Sequence, residues 1–91
     1  MPYLPMYRAE AARLLAGVDA ATDAVDHARL FRAAHTLKGM SSTMRLRDVA
    51  AAAARAEQIA RAAEEAGALS GPQRAQLELE WRAFRDLLAA V

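Results

Sequence analysis

Apolar residues recur along this chain at intervals of three and four, the spacing of one face of a helix, in four successive segments. In the first, Leu4, Tyr7, Ala11, Leu14 and Val18 share a face while Arg8, Glu10 and Arg13 lie away from it. This predicts a helix over about 4–18, with Pro5 in a first turn where a missing N–H has no partner to lose. Gly17 to Thr22 is read as the connection, because its Gly and Asp favour a turn. Asp23 is the expected N-cap of a second helix over about 23–44, with Asp26 three residues on completing a pattern like a capping box. Its buried stripe is Leu30, Ala33, Ala34, Leu37, Ser41 and Met44, and His27 falls near that stripe in the first turns. Arg45 and Leu46 make a short connection. Asp48 is expected to cap a third helix over about 48–66, with Val49, Ala53, Ala56, Ala60 and Ala63 inward and Ile59 and Glu57 at the margins. So small a face allows close approach to the second helix. Gly67 closes it as a C′ residue. Ser70, Pro72 and Gln73 start a fourth helix over about 71–91, whose stripe is Leu77, Trp81, Phe84, Leu88 and Val91. Trp81 and Phe84 therefore read as core packing.

Four helices joined by short loops predict an all-α fold, an antiparallel up-and-down four-helix bundle. A chain of 91 residues suits one domain, 1–91. With no cysteine there is no disulfide or thiolate metal site, which fits a cytoplasmic setting. A net charge of +1 gives no strong field for nucleic acid or membrane. No apolar run approaches the length of a membrane span, and no secretory signal opens the chain. The small face of the third helix can be buried internally, so a monomer is expected.

His35 does not join the stripe of its helix. It lies on a face shared with Lys38, Gly39 and Ser42, one and two turns further along. An imidazole in water is largely uncharged at neutral pH and can act as a nucleophile. A lysine one turn away places a cation where a phosphoryl group on that imidazole would sit. Gly39 costs helix stability, about 1 kcal/mol against alanine, and leaves no side chain in the way of an approaching surface. A nucleophile, a cation and a cleared approach suit a phosphate carrier.

The run Phe31-Arg-Ala-Ala-His35-Thr-Leu-Lys38-Gly39 resembles the phospho-accepting signature of histidine phosphotransfer domains, and is most similar to that of the N-terminal domain of CheA-type chemotaxis kinases. Tyr7-x-x-Glu10-Ala11-x-x-Leu14 is similar to the opening helix of the same domains. The resemblance implies that His35 is phosphorylated on a ring nitrogen. It further implies that a separate ATP-binding histidine kinase domain supplies the phosphoryl group and that an aspartate of a response-regulator receiver, CheY-like or CheB-like, takes it. ATP and Mg²⁺ then belong to partner domains, and this chain needs no cofactor. Glu57 stands twenty-two residues after His35, where CheA-type domains place a glutamate facing the histidine. A carboxylate there would fix the tautomer and free the other nitrogen to attack phosphorus; the plainer alternative is a solvated helix glutamate paired with Arg61 at i+4. CheA-type domains commonly carry a glycine where Arg45 stands, which leaves the turn geometry open. The chain is expected to be the N-terminal part of a longer CheA-like kinase or a freestanding carrier, and in either case not an enzyme by itself.

Other readings are weaker. A structural helical interaction module predicts that His35 is dispensable. A metal-binding bundle needs Glu-x-x-His pairs, but Ala24 and Arg32 stand three residues before the histidines. Ser41 and Ser42 lack the partners of a hydrolase triad. Arg29, Arg32, Lys38, Arg45 and Arg47 make a local basic tendency. With Gly39 and Ser42, Arg32 is assigned to partner approach, toward an acidic protein surface rather than nucleic acid.

Overall fold

The computed structural model describes residues 4–23 and 26–90. Among them the chain forms four helices: α1 (Leu4–Asp23), α2 (His27–Thr43), α3 (Arg47–Ala66) and α4 (Gly71–Ala89). Each packs on the next in sequence, and the α2–α3 seam is the most extensive. Arg85 on α4 reaches back to both carboxylate oxygens of Asp19 on α1 at 2.9 Å. The result is a four-helix bundle of 40 × 19 × 18 Å, elongated along its helices. None of the described helices is long and apolar enough to cross a membrane.

Burial follows the apolar stripes. Leu30, Leu37, Leu77, Phe84 and Val18 are almost wholly enclosed. Ala52, Ala53, Ala56 and Ala60 have no exposed surface, so α3 lies close against its neighbours, as its small face requires. On α1 the inward residue is Leu15, and Leu14 only packs against the edge of the core. Polar contacts of buried side chains also join the helices. Tyr7 and Ser41 share a 2.8 Å hydrogen bond that fixes α1 on α2. Burial raises the Tyr7 phenol above its ordinary range, although the Ser41 bond pulls the other way. Glu80 on α4 is buried and accepts from Arg55 Nε on α3 (2.7 Å) and Gln76 Nε2 (3.0 Å).

Several helix ends depart from the expected ones. α1 continues through the predicted connection to Asp23: Val18 and Ala21 are both buried, and Thr22 Oγ1 donates back to the Val18 carbonyl at 2.8 Å. Burial thus outweighs the cost of Gly17 within a helix. Asp23 is consequently helical, and Asp26 is the N-cap of α2, accepting from the Arg29 N–H at 3.1 Å. α2 stops at Thr43, with half-buried Met44 as its C-cap. α3 starts at Arg47 after Leu46, which offers no side-chain cap, so Asp48 lies inside the first turn rather than capping it. There its charge still favours the helix dipole. Gly67 ends α3 with φ 71°, and Ser70 and Gln73 form a full capping box on α4. The expected stripe residue Val91 and the Leu4 side chain lie outside the described residues.

The α2–α3 turn takes the conformation that glycine favours, with an arginine in it. Arg45 has φ 60°. Its N–H bonds to the Ser42 carbonyl and that of Leu46 to the Ser41 carbonyl, both at 2.9 Å, the pair of bonds of a Schellman motif.

Candidate functional site

Helices α2 and α3 run antiparallel about the turn at Leu46, so residues equally far from it face each other. His35 and Glu57 are each eleven residues away, and Phe31 and Arg61 each fifteen. All four meet. His35 stands mid-helix with its side chain 63% exposed, while that of Glu57 is only 7% exposed. Glu57 is buried, and the more exposed His35, Lys38 and Arg61 side chains meet at its carboxylate.

The carboxylate is the hub. His35 Nδ1 lies 3.2 Å from Oε1. Lys38 Nζ lies 2.7 Å from Oε2, a close ion pair on the second carboxylate oxygen. Arg61 Nη2 stands 3.8 Å from Oε1. Burial pushes the Glu57 carboxyl up, but Lys38 and His35 together outweigh it and hold the group below the usual carboxylate range. An ionised carboxylate has no proton to give, so Nδ1 is the donor. The lone pair is then on Nε2, the nitrogen away from the contact.

Of the other residues expected at the site, Gly39 is exposed, and a methyl group added to its Cα would meet nothing within 4 Å. Ser42 is exposed and lines a shallow groove between α2 and α3 with Lys38, Arg45, Arg47 and three alanines. Arg32 is not gathered in. It lines a separate groove on the α1 side of α2 with Arg13 and Arg29. Half-buried His27 opens α2, two turns before His35.

The sequence places Phe31 only within the family run and Arg61 only as a surface ion-pair partner of Glu57, and neither is assigned to the site there. Phe31 stacks on His35 with ring centroids 6.1 Å apart and planes 20° from parallel. The Arg61 guanidinium carbon lies 5.2 Å from the Phe31 centroid. Equal distance from Leu46 was the available signal for both. Among the described residues, no group of three or more His, Cys, Asp and Glu side chains is placed to hold a metal ion.

A family model described as "Hpt domain" matches residues 2–91. No curated protein and no solved structure matches significantly.

Proposed function

The chain belongs to the Hpt domain family, whose members are histidine phosphocarriers of phosphorelays, and from that premise we propose that His35 is the accepting residue. The observation that carries the reading is the exposed imidazole whose Nδ1 faces the Glu57 carboxylate at 3.2 Å. That contact leaves Nε2 as the nucleophile.

In the proposed sequence a histidine kinase domain presents ATP with its own Mg²⁺. The Nε2 lone pair attacks the γ-phosphorus, the bond to the ADP oxygen breaks, and ADP leaves with that electron pair. The phosphorylated ring keeps its Nδ1 proton and carries positive charge, which Glu57 stabilises. An aspartate carboxylate of a receiver domain then attacks the same phosphorus, and the Nε2–P bond breaks back onto the ring. Lys38, one turn from His35, offsets phosphoryl charge. Gly39 leaves room for either partner, and Ser42 with the neighbouring basic groove forms the approach. Arg32 belongs to that approach only for a partner broad enough to reach the α1 side. The His-Thr-Leu-Lys-Gly run and the Glu57 spacing support a CheA-type kinase domain and CheY-like or CheB-like receivers as partners, in the cytoplasm.

The test is phosphotransfer from labelled ATP and a CheA-type kinase domain to wild type and His35→Gln. The expected label is acid-labile and alkali-stable, passes on to a receiver domain, and is absent from His35→Gln. Equal labelling of the two proteins would reject His35 as the acceptor.

A further inference from the structure

Arg61 is the one strong cation at the site to which the phosphocarrier reading gives no work. By itself its 3.8 Å approach to the buried Glu57 carboxylate is a long i,i+4 contact from an exposed guanidinium, of little consequence for stability. Its position matters more. It approaches Oε1, the oxygen that already receives the His35 Nδ1 proton, whereas Lys38 takes Oε2. Phe31 fixes it there: the guanidinium lies over the Phe31 ring, and that ring in turn stacks on His35. Arg61, Phe31, His35 and Glu57 thus form a closed circuit of four contacts across the α2–α3 seam.

We propose that Arg61 is a positioning residue that limits the hold of Glu57 on the His35 ring and so keeps a phosphoryl group on that ring transferable. The inference rests on His35 being the phosphoryl acceptor. A carrier must give up what it takes. A ring phosphorylated on Nε2 and protonated on Nδ1 is cationic, and a carboxylate on Nδ1 stabilises it and strengthens the Nε2–P bond. A second cation on the same carboxylate oxygen weakens that stabilisation. The charged groups facing the imidazole are Glu57 and Arg61 from α3 and Lys38 from its own helix. Among the described residues, Arg61 is the cation that shares the oxygen the ring uses.

The test compares wild type with Arg61→Ala and Arg61→Lys, loaded with phosphoramidate so that no partner protein is involved. In loading, Nε2 attacks phosphorus and ammonia leaves. In the measured step water attacks phosphorus, the Nε2–P electron pair returns to the ring, and inorganic phosphate is released. Arg61→Ala is expected to hold its phosphoryl group about twofold to fivefold longer, the scale of a long ion pair with one exposed partner. Arg61→Lys, which keeps the charge, is expected to restore the wild-type lifetime. The Arg61 side chain is 61% exposed, so its loss leaves the core intact. A merely structural loosening would weaken the Glu57 contact and shorten the lifetime. An unchanged or shortened lifetime in Arg61→Ala, or no restoration by lysine, overturns the proposal. NMR of the His35 ring needs no phosphoryl donor. There the Nδ1 proton of Arg61→Ala is expected farther downfield than in wild type, as a stronger hydrogen bond to Glu57 requires, and coincident signals would reject the role of Arg61 even if His35 proved not to be the acceptor.

Discussion

At Glu57 one carboxylate meets an imidazole N–H, an ammonium and, farther off, a guanidinium, and the Lys38 and His35 contacts favour its charged form over its neutral one. The consequence for stability has a definite sign. The folded-state carboxyl titrates below its ordinary value of 4.5, so its contribution is fully present above about pH 4.5 and is lost as pH falls through the lower folded value. Glu57→Gln has no such group to titrate. Urea midpoints measured at pH 6 and again well below 4.5 should therefore differ less in Glu57→Gln than in wild type. Equal differences in the two proteins would mean that the cations around Glu57 do not favour its ionised form on folding. How much of this site could be read in the chain depended on the residue. His35, Lys38 and Gly39 sit in one local run, and Glu57 followed from a family spacing. Phe31 and Arg61 each stand one helical turn from His35 and Glu57, but only the register of two helices brings them together, and an apolar ring with a surface arginine carries no chemical signature of its own.

Helices were easier to read than their ends. Four apolar stripes identified four helices because periodicity is summed over many residues, and Ser70 with Gln73 and Gly67 marked their ends by local chemistry alone. Asp23 and Asp48 misled because any aspartate near a helix start resembles a cap. Which one serves is decided by how far the preceding helix or turn extends, and burial of Ala21 and the bonds around Arg45 set that. The Arg45 turn gives a prediction at this scale. A non-glycine residue in the left-handed region costs about 1–2 kcal/mol, while glycine adds unfolded-state entropy that recovers part of it. Arg45→Gly should accordingly raise stability by about 0.5–1 kcal/mol in urea unfolding, with the slope unchanged. A destabilised variant would show that the arginine side chain contributes more to the fold than its backbone conformation costs.

Over the whole molecule the net charge of +1 conceals an uneven distribution, and folding divides the basic tendency read from the sequence between two grooves. Lys38, Arg45 and Arg47 converge on the groove beside His35, and Arg45 and Arg47 are exposed. On the proposed function this groove meets the acidic phospho-accepting pocket of a receiver domain, and attraction between exposed charges is screened by salt. From about 0.1 M to about 1 M salt the Debye length falls from roughly 10 Å to roughly 3 Å. Transfer from phosphorylated His35 to a receiver, measured below saturation, should slow about tenfold or more across that range. Hydrolysis of the same phosphohistidine, which needs no docking, should change little. Arg45→Gly joins this expectation to the previous one: the variant predicted to be more stable should transfer more slowly at low salt and depend less on salt. Proteins keep locally unfavourable residues where function uses them, and an arginine held at φ 60° beside the approach to His35 has that character. If Arg45→Gly is both more stable and equally fast at every salt concentration, the basic groove has no part in docking, and the receiver must reach His35 from the side of Gly39 and Arg32.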